Sequence, residues 1–101
     1  MEPMEKWKHY LDAAGRVTAW PAKRDARAGV LRYLGAGLEF GRYYTEKEIN
    51  VYLDTRHTFG DHFLLRREMV DAGILCRVAD GSRYWRGDPL TGQTSKQADT
   101  V

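Results

Sequence analysis

Apolar residues recur at every third or fourth position in four short stretches, which is the spacing of helices that bury one face. The four stretches span residues 4–14, 23–34, 45–55 and 61–72. The third has a specific start signal, because Thr45 and Glu48 match a capping box in which each side chain accepts the other's backbone N–H. Asp61 can cap the fourth helix, and Gly73 can end it in the left-handed conformation.

The C-terminal part of the pattern alternates between apolar and polar positions, as strands with one buried face do. Residues 74–79 and 82–86 alternate in this way, and Asp80-Gly81 between them supplies the positive φ angles of a tight turn. The alternation sends either Tyr84 or Trp85 into the core. These features predict a hairpin directly after the fourth helix.

The order of the elements predicts the fold class. A short strand is expected over residues 16–20, where Pro21 stops it. With the helices and hairpin, this gives an α+β fold, a winged helix-turn-helix with an extra N-terminal helix and a C-terminal β-hairpin wing. We expect a helical extension at residues 1–15, the winged-helix domain at 16–87 and a disordered polar tail at 88–101.

Three motifs between Trp20 and Arg86 resemble a known bacterial family. They read YYTEKEIN, then DHxxLRREMVDAGILxR, then DGSxYW. The family is domain of unknown function 2087 (DUF2087). Its members resemble winged helices, and some follow an N-terminal DNA-binding domain in proteins regarded as transcriptional regulators. The resemblance therefore implies a winged-helix fold and a role in bacterial transcriptional regulation.

The composition permits one modest core and is mildly basic. Of the 101 residues, 43% are hydrophobic and 30% are charged, with a formal net charge of +2. This balance leans toward a nucleic-acid partner without specifying one. The single cysteine, Cys76, excludes an intramolecular disulfide, fits a reducing compartment and is expected to be a small core or flank residue. No apolar run suits a signal peptide or a membrane span, so we expect a cytoplasmic protein without a membrane partner.

The leading functional prediction is that the chain binds double-stranded DNA through the fourth helix and the hairpin. Outward-facing cations there can contact phosphates or base edges. Lys47, Arg67 and Arg83 are the first candidates, because they lie on outer helix faces or next to the hairpin turn. Arg77 and Arg86 flank the same turn and are the second candidates.

The alternative is a non-catalytic protein-interaction module on the same scaffold. Phe63 and Leu64 lie on the outer side of the fourth helix, where apolar side chains suit a protein contact better than a DNA contact. Trp7 and Leu11 on the first helix are candidate anchors for a protein partner or a homodimer. Salt dependence separates the two hypotheses, because phosphate binding weakens steeply with salt.

No motif for metal binding or catalysis accompanies these residues. His57, Asp61 and His62 are close in sequence but lack the spacing of a zinc site. Cys76 has no neighbouring histidine in sequence to activate it, and the glycines form no phosphate-binding loop. We therefore expect no metal, no cofactor and no enzymatic activity.

Two polar positions on the fourth helix have predicted structural roles. By periodicity, His62 points to the buried side of the helix. Arg66 lies beside the same side, so we expect it to pair with an acid such as Glu48 or Asp61.

Overall fold

The computed structural model of the chain describes residues 3–87, with side chains described from Trp7 onward. It contains a 3₁₀ helix, three α-helices and one two-stranded antiparallel hairpin: Pro3–Tyr10, α1 (Arg24–Ala36), α2 (Glu46–Asp54), α3 (His62–Asp71), β1 (Leu75–Arg77) and β2 (Tyr84–Arg86). The predicted α+β class is therefore confirmed. The expected disordered tail at residues 88–101 lies outside the described residues.

The hydrophobic core lies between the three helices and the inner face of the hairpin. Helix α3 is the central element, since it contacts α1, α2 and β1. Its Leu65 and Met69 are fully buried, as are Leu34 of α1 and Leu53 of α2. Full burial of one such side chain contributes about 1.5–3 kcal/mol. These inward positions agree with the apolar periodicity of the sequence.

Both predicted helix starts are confirmed. The Thr45 N–H donates to the Glu48 carboxylate at 2.8 Å, and the Glu48 N–H donates to the Thr45 hydroxyl at 3.1 Å. At the start of α3, the Leu64 N–H donates to the Asp61 carboxylate at 3.0 Å. Each cap satisfies an N–H that the helix cannot pair internally and contributes about 1 kcal/mol.

Helix α1 runs two residues beyond its predicted end. It passes through Gly35 and stops at Ala36, with Gly37 as the C-cap. A side chain at Gly35 would collide with Ile74, so the glycine permits close packing here and does not end the helix. A glycine inside a helix costs about 1 kcal/mol relative to alanine, which the contact with the hairpin offsets.

The N-terminal segment forms a helix, as predicted, but it is a 3₁₀ helix over Pro3–Tyr10 and ends four residues before the predicted end at residue 14. The Asp12 carboxylate accepts backbone N–H bonds from Ala14 at 2.9 Å and Arg16 at 2.8 Å, which turns the chain before a longer helix can form. The Trp7 ring packs over Gly29 of α1, where any side chain would meet it.

The strand predicted over residues 16–20 is reduced to one paired position. Val17, which has no exposed surface, forms isolated bridges with Leu11 and His57. Its N–H donates to the Arg56 carbonyl at 2.7 Å, and its carbonyl accepts from Thr58 at 3.0 Å. The prediction of a strand over this segment is therefore wrong, because pairing stops after Val17.

The hairpin is shorter than predicted, and its turn depends on one glycine. Gly81 has a φ of 76°, and no non-glycine residue in the described chain has a positive φ, so Asp80 does not share this conformation. Cys76 pairs with Trp85 in the register and is 1% exposed, which confirms its predicted place in the core. Of the two aromatic residues in β2, Tyr84 is the core residue.

His57 connects the end of α2 to the start of α3. It is 5% exposed; its Nδ1 lies 2.7 Å from the Leu53 carbonyl, and its Nε2 accepts the Asp61 N–H at 2.8 Å. Because Nε2 is an acceptor, the ring proton lies on Nδ1 and is donated to Leu53. Both ring nitrogens therefore satisfy backbone groups at the turn between the two helices.

We predict that His57→Leu lowers the free energy of unfolding by about 1–3 kcal/mol, because it removes both ring hydrogen bonds and leaves the Asp61 N–H without its partner. The Leu53 carbonyl keeps the bond that it accepts from the Arg56 N–H at 2.9 Å. Urea unfolding followed by circular dichroism measures this change. The exposed neighbour Thr58 provides the control: Thr58→Ala should stay within about 0.5 kcal/mol of the wild-type protein. Equal stabilities for the two variants would show that the His57 bonds do not stabilise the turn.

Candidate nucleic-acid interface

Helix α3 presents a mixed outer face. Phe63, Arg67 and Asp71 are exposed, and Phe63 has 66% of its surface accessible. Leu64, predicted beside them, is half-buried. The outer face thus offers one cation in its middle, one aromatic ring in its first turn and one acid at its end.

His62 does not point into the core, which corrects the prediction from periodicity. Its Nδ1 lies 2.9 Å from a carboxylate oxygen of Asp54, at the end of α2. As the first residue of α3, His62 precedes the turns that pack on α1 and β1, so the period of the buried side chains does not extend to it. His57, outside any helix, is the buried histidine.

A cleft of about 310 Å³ lies between α3, the start of α2 and the hairpin. Its lining side chains come from all three parts: Glu46, Phe63, Arg66, Arg67, Val70, Asp71, Arg77 and Tyr84. Three arginines face two carboxylates, so the cleft keeps an excess of positive charge. The cleft brings together Arg67 and Arg77, two of the predicted contact residues, and adds Arg66.

Arg66 forms the charged floor of this cleft. Its side chain is 12% exposed and lies 3.9 Å from the Glu46 carboxylate, and it donates to the side-chain oxygen of Asn50. Its guanidinium carbon is 4.7 Å from the centroid of the Phe63 ring. The predicted partners Glu48 and Asp61 are wrong, because both carboxylates cap helices instead.

Tyr84 is the second residue that contacts Glu46. Its hydroxyl donates to Glu46 at 3.2 Å. Burial, the largest cause, raises the pKa of Tyr84 above the ordinary tyrosine value, while the nearby Arg66 acts in the opposite direction. Tyr84 is therefore a protonated donor at neutral pH. Glu46 contacts Tyr84 and Arg66, and among the described side chains Arg67 forms no ion pair with either carboxylate of the cleft.

The five predicted nucleic-acid contacts divide into two groups. Among the described side chains, Lys47, Arg67 and Arg83 are exposed and form no ion pair. Arg77 donates to the Ala79 carbonyl at 3.1 Å, and Arg86 donates to the Leu38 carbonyl at 3.1 Å. The first candidates, Lys47, Arg67 and Arg83, are thus available to a ligand. The second candidates, Arg77 and Arg86, also donate hydrogen bonds to backbone carbonyls of the same chain.

The five cations do not share one face. Lys47 lies beside Arg42 and Tyr52 in a second groove, and Arg67 lies in the cleft on the other side of Glu46. Arg83 stands over Tyr43, on the face of the hairpin opposite Tyr84. A ligand that contacts all three first-choice residues would have to span the start of α2 and the hairpin turn.

Two exposed rings were missed in the sequence. Phe40 and Tyr43, in the loop between α1 and α2, are 56% and 61% exposed, whereas Leu38 and Tyr44 of the same loop are buried. The signal that could have revealed this is the strand-like alternation at Tyr43 and Tyr44, which sends adjacent side chains to opposite faces.

The predicted protein-contact anchors near the N-terminus are already engaged within the chain. Trp7 is half-buried against α1, with its ring centroid 5.1 Å from that of Tyr33. Leu11 also packs against the core cluster. In the described chain no three His, Cys, Asp or Glu side chains come together as metal ligands would. Burial raises the pKa of the Cys76 thiol, which opposes formation of a thiolate.

Residues 16–86 match the sequence pattern of a bacterial family described as "Uncharacterized protein conserved in bacteria (DUF2087)". The chain belongs to the DUF2087 family. The match spans the three α-helices and the hairpin, and it confirms the resemblance seen in the three motifs. No curated protein and no solved structure matches the chain. No helix among residues 3–87 combines the length and apolar character that crossing a bilayer requires.

We predict that the two adjacent arginines of this DUF2087 protein respond differently to substitution. Arg66→Ala should lower the free energy of unfolding by about 1–3 kcal/mol, because it removes the bond to Asn50 and leaves Glu46 without its cation. Arg67→Ala, at an exposed position, should change it by less than about 0.5 kcal/mol. Urea unfolding of both variants measures the difference. A larger loss for Arg67→Ala would contradict the assigned roles.

Proposed function

We propose that this DUF2087 protein is a winged-helix protein that binds double-stranded DNA in bacterial transcriptional regulation. The order of three helices followed by a hairpin supports this architecture. An antiparallel bridge from Tyr44, between α1 and α2, to Tyr84 also supports it, because it adds a third strand position beside the hairpin. In this architecture α3 approaches the major groove and the hairpin acts as a wing on the phosphate backbone.

The observation that carries the proposal is the set of exposed cations without carboxylate partners. Lys47 on α2, Arg67 on α3 and Arg83 beside the hairpin turn make no ion pair among the described side chains. An unpaired exposed cation keeps its full attraction for a phosphate, and each such contact releases a counterion from DNA. Because these residues lie on three neighbouring elements, a ligand that contacts all of them must extend across α2, α3 and the hairpin turn.

The proposed roles follow from the chemistry of each side chain. Arg67, in the middle of the outer face of α3, reaches a phosphate or the edge of a guanine. Phe63 in the first turn of α3 contacts a thymine methyl group, which is an apolar feature of the major groove. Asp71 repels phosphate, so the N-terminal half of α3 is the part that approaches the duplex. Lys47 and Arg83 contact phosphates on either side.

A second function is favoured by one observation, the 66% exposure of Phe63. An exposed phenylalanine commonly marks a protein contact, and a protein-interaction module on the same scaffold would use it as an anchor. Such a contact would be insensitive to salt and to the removal of Arg83. The DNA hypothesis is preferred because it also explains the unpaired cations.

Fluorescence anisotropy of a labelled mixed-sequence duplex tests the proposal. We expect binding whose affinity falls steeply between low and physiological salt. Arg67→Ala, Arg83→Ala and Lys47→Ala should each weaken it by about fivefold or more and lower the salt slope by about 0.9 per lost phosphate contact. The matched control is Arg32→Ala, which removes an exposed arginine from α1 and should leave the affinity unchanged.

Two results would overturn duplex binding as the function. One is the absence of binding at low salt by the folded protein. The other is an equal loss of affinity in Arg32→Ala and Arg67→Ala, because it would indicate attraction by net charge alone. Circular dichroism of each variant ensures that the comparison is made between folded proteins.

A further inference from the structure

The loop between α1 and α2 exposes two aromatic rings beside β2. Phe40 and Tyr43 belong to this loop, and with Val51 and Phe63 they make up the large apolar side chains left exposed in the described chain. Exposed rings are costly in water, so two of them on one short loop indicate a surface that meets a ligand.

The position of Tyr43 is imposed by the backbone. Its neighbour Tyr44 exchanges two hydrogen bonds with Tyr84, each 2.8 Å long. Because successive side chains of a strand alternate, the inward direction of Tyr44 and Tyr84 sends Tyr43 and Trp85 to the outer face. The exposure of Tyr43 therefore follows from strand pairing and is not a property of a loose loop.

Tyr43, Trp85 and Arg83 form one contiguous group, the aromatic–arginine surface. The ring centroids of Tyr43 and Trp85 are 5.8 Å apart with an interplanar angle of 88°. The guanidinium carbon of Arg83 lies 4.9 Å from the Tyr43 centroid. With 61% of its surface accessible, Tyr43 still has a ring face open to a ligand.

The same loop carries a second ring paired with an arginine. The guanidinium carbon of Arg86 lies 4.2 Å from the centroid of the Phe40 ring, and its Nη1 donates to the Leu38 carbonyl at 3.1 Å. Arginine and aromatic side chains therefore alternate along this part of the molecule. Such interleaving is typical of grooves that bind single-stranded nucleic acid.

The charged groups around Tyr43 and Arg83 indicate which kind of ligand fits this surface. Arg83 has no ion pair among the described side chains, and Asp80, the acid of the hairpin turn, accepts the Ser82 N–H at 2.9 Å. Arg42, the residue before Tyr43, lies 3.9 Å from the Glu48 carboxylate, and both side chains are half-exposed. A ligand that matches this surface brings negative charge together with flat, unsaturated rings.

We propose that the aromatic–arginine surface binds unpaired bases of a single-stranded nucleic acid. A base stacks on the open face of Tyr43, and Arg83 contacts the adjacent phosphate. Bases within a duplex cannot stack there, because their faces are covered by their neighbours. This activity goes beyond the proposed duplex binding, since it uses a different surface and a different form of nucleic acid, with Arg83 as the one shared residue.

Anisotropy of a labelled oligothymidylate of about a dozen nucleotides, within the site size of known single-strand binders, tests this inference. Tyr43→Ala should weaken binding about tenfold or more, because stacking on one ring contributes that much. Tyr43→Phe keeps the ring and should retain the affinity. Val51→Ala is the control, since Val51 on α2 is an exposed apolar side chain of similar accessibility, 55%, and belongs to neither proposed surface.

The inference is overturned if the strand does not bind, if Tyr43→Ala binds like the wild-type protein, or if Val51→Ala loses as much affinity. The outcome is independent of duplex binding, because Tyr43 is absent from the α3 cleft. Loss of single-strand binding in Tyr43→Ala with unchanged duplex affinity supports two separate surfaces. Conversely, an Arg67→Ala variant that loses duplex binding but keeps single-strand binding also supports two separate surfaces.

Discussion

Two short backbone hydrogen bonds between Tyr44 and Tyr84 attach the hairpin to the helices, and both candidate surfaces depend on them. On the inner face, the buried Tyr84 ring carries its hydroxyl to Glu46 at the start of α2. On the outer face, the same pairing places Tyr43 against Trp85. A slip of one residue in this register would pair Tyr43 with Tyr84, which would turn Tyr43 inward and Tyr44 outward. The pairing thus determines which aromatic side chains stabilise the core and which remain available to a ligand.

The charged residues fall into two populations with different physical roles. Arg66 is largely buried and is surrounded by a carboxylate, an amide oxygen and an aromatic ring, so its cost of desolvation is offset by several contacts. Arg67, its immediate neighbour, points to water and has none of these contacts among the described residues. Adjacent arginines on a helix are about 100° apart, which is enough to separate a structural role from a binding role.

Local chemistry made part of this fold predictable from the sequence. Three features depend on residues only a few positions apart: the capping box at Thr45, the cap at Asp61 and the turn at Gly81. They can therefore be recognised in the sequence without knowledge of the tertiary structure. The partner of Arg66 could not be deduced, because Glu46 and Asn50 become its neighbours only when α2 packs on α3. The burial of His57 likewise depends on Val17, which is forty residues away in sequence.

The candidate site was predictable to a similar degree. Lys47, Arg67 and Arg83 could be selected from their positions on outer faces, and the structure leaves them without ion pairs among the described side chains. The exposed rings of Phe40 and Tyr43 were not expected, because hydrophobicity alone assigns such residues to the interior. The exposure of Tyr43 results from strand pairing at the adjacent Tyr44, and because only one position is paired, the alternation of these two residues is its only signal in the sequence.

The burial of Cys76 gives the protein an internal reporter. This single thiol lies in β1 opposite Trp85 and is 1% exposed, so a thiol-modifying reagent can reach it only when the packing around the hairpin opens. The rate of modification therefore reads out how often the hairpin opens, by the same logic as amide hydrogen exchange. Any ligand held between the hairpin and α3 would slow that opening. The rate of Cys76 modification can thus show whether a ligand occupies the cleft, without a label on the ligand.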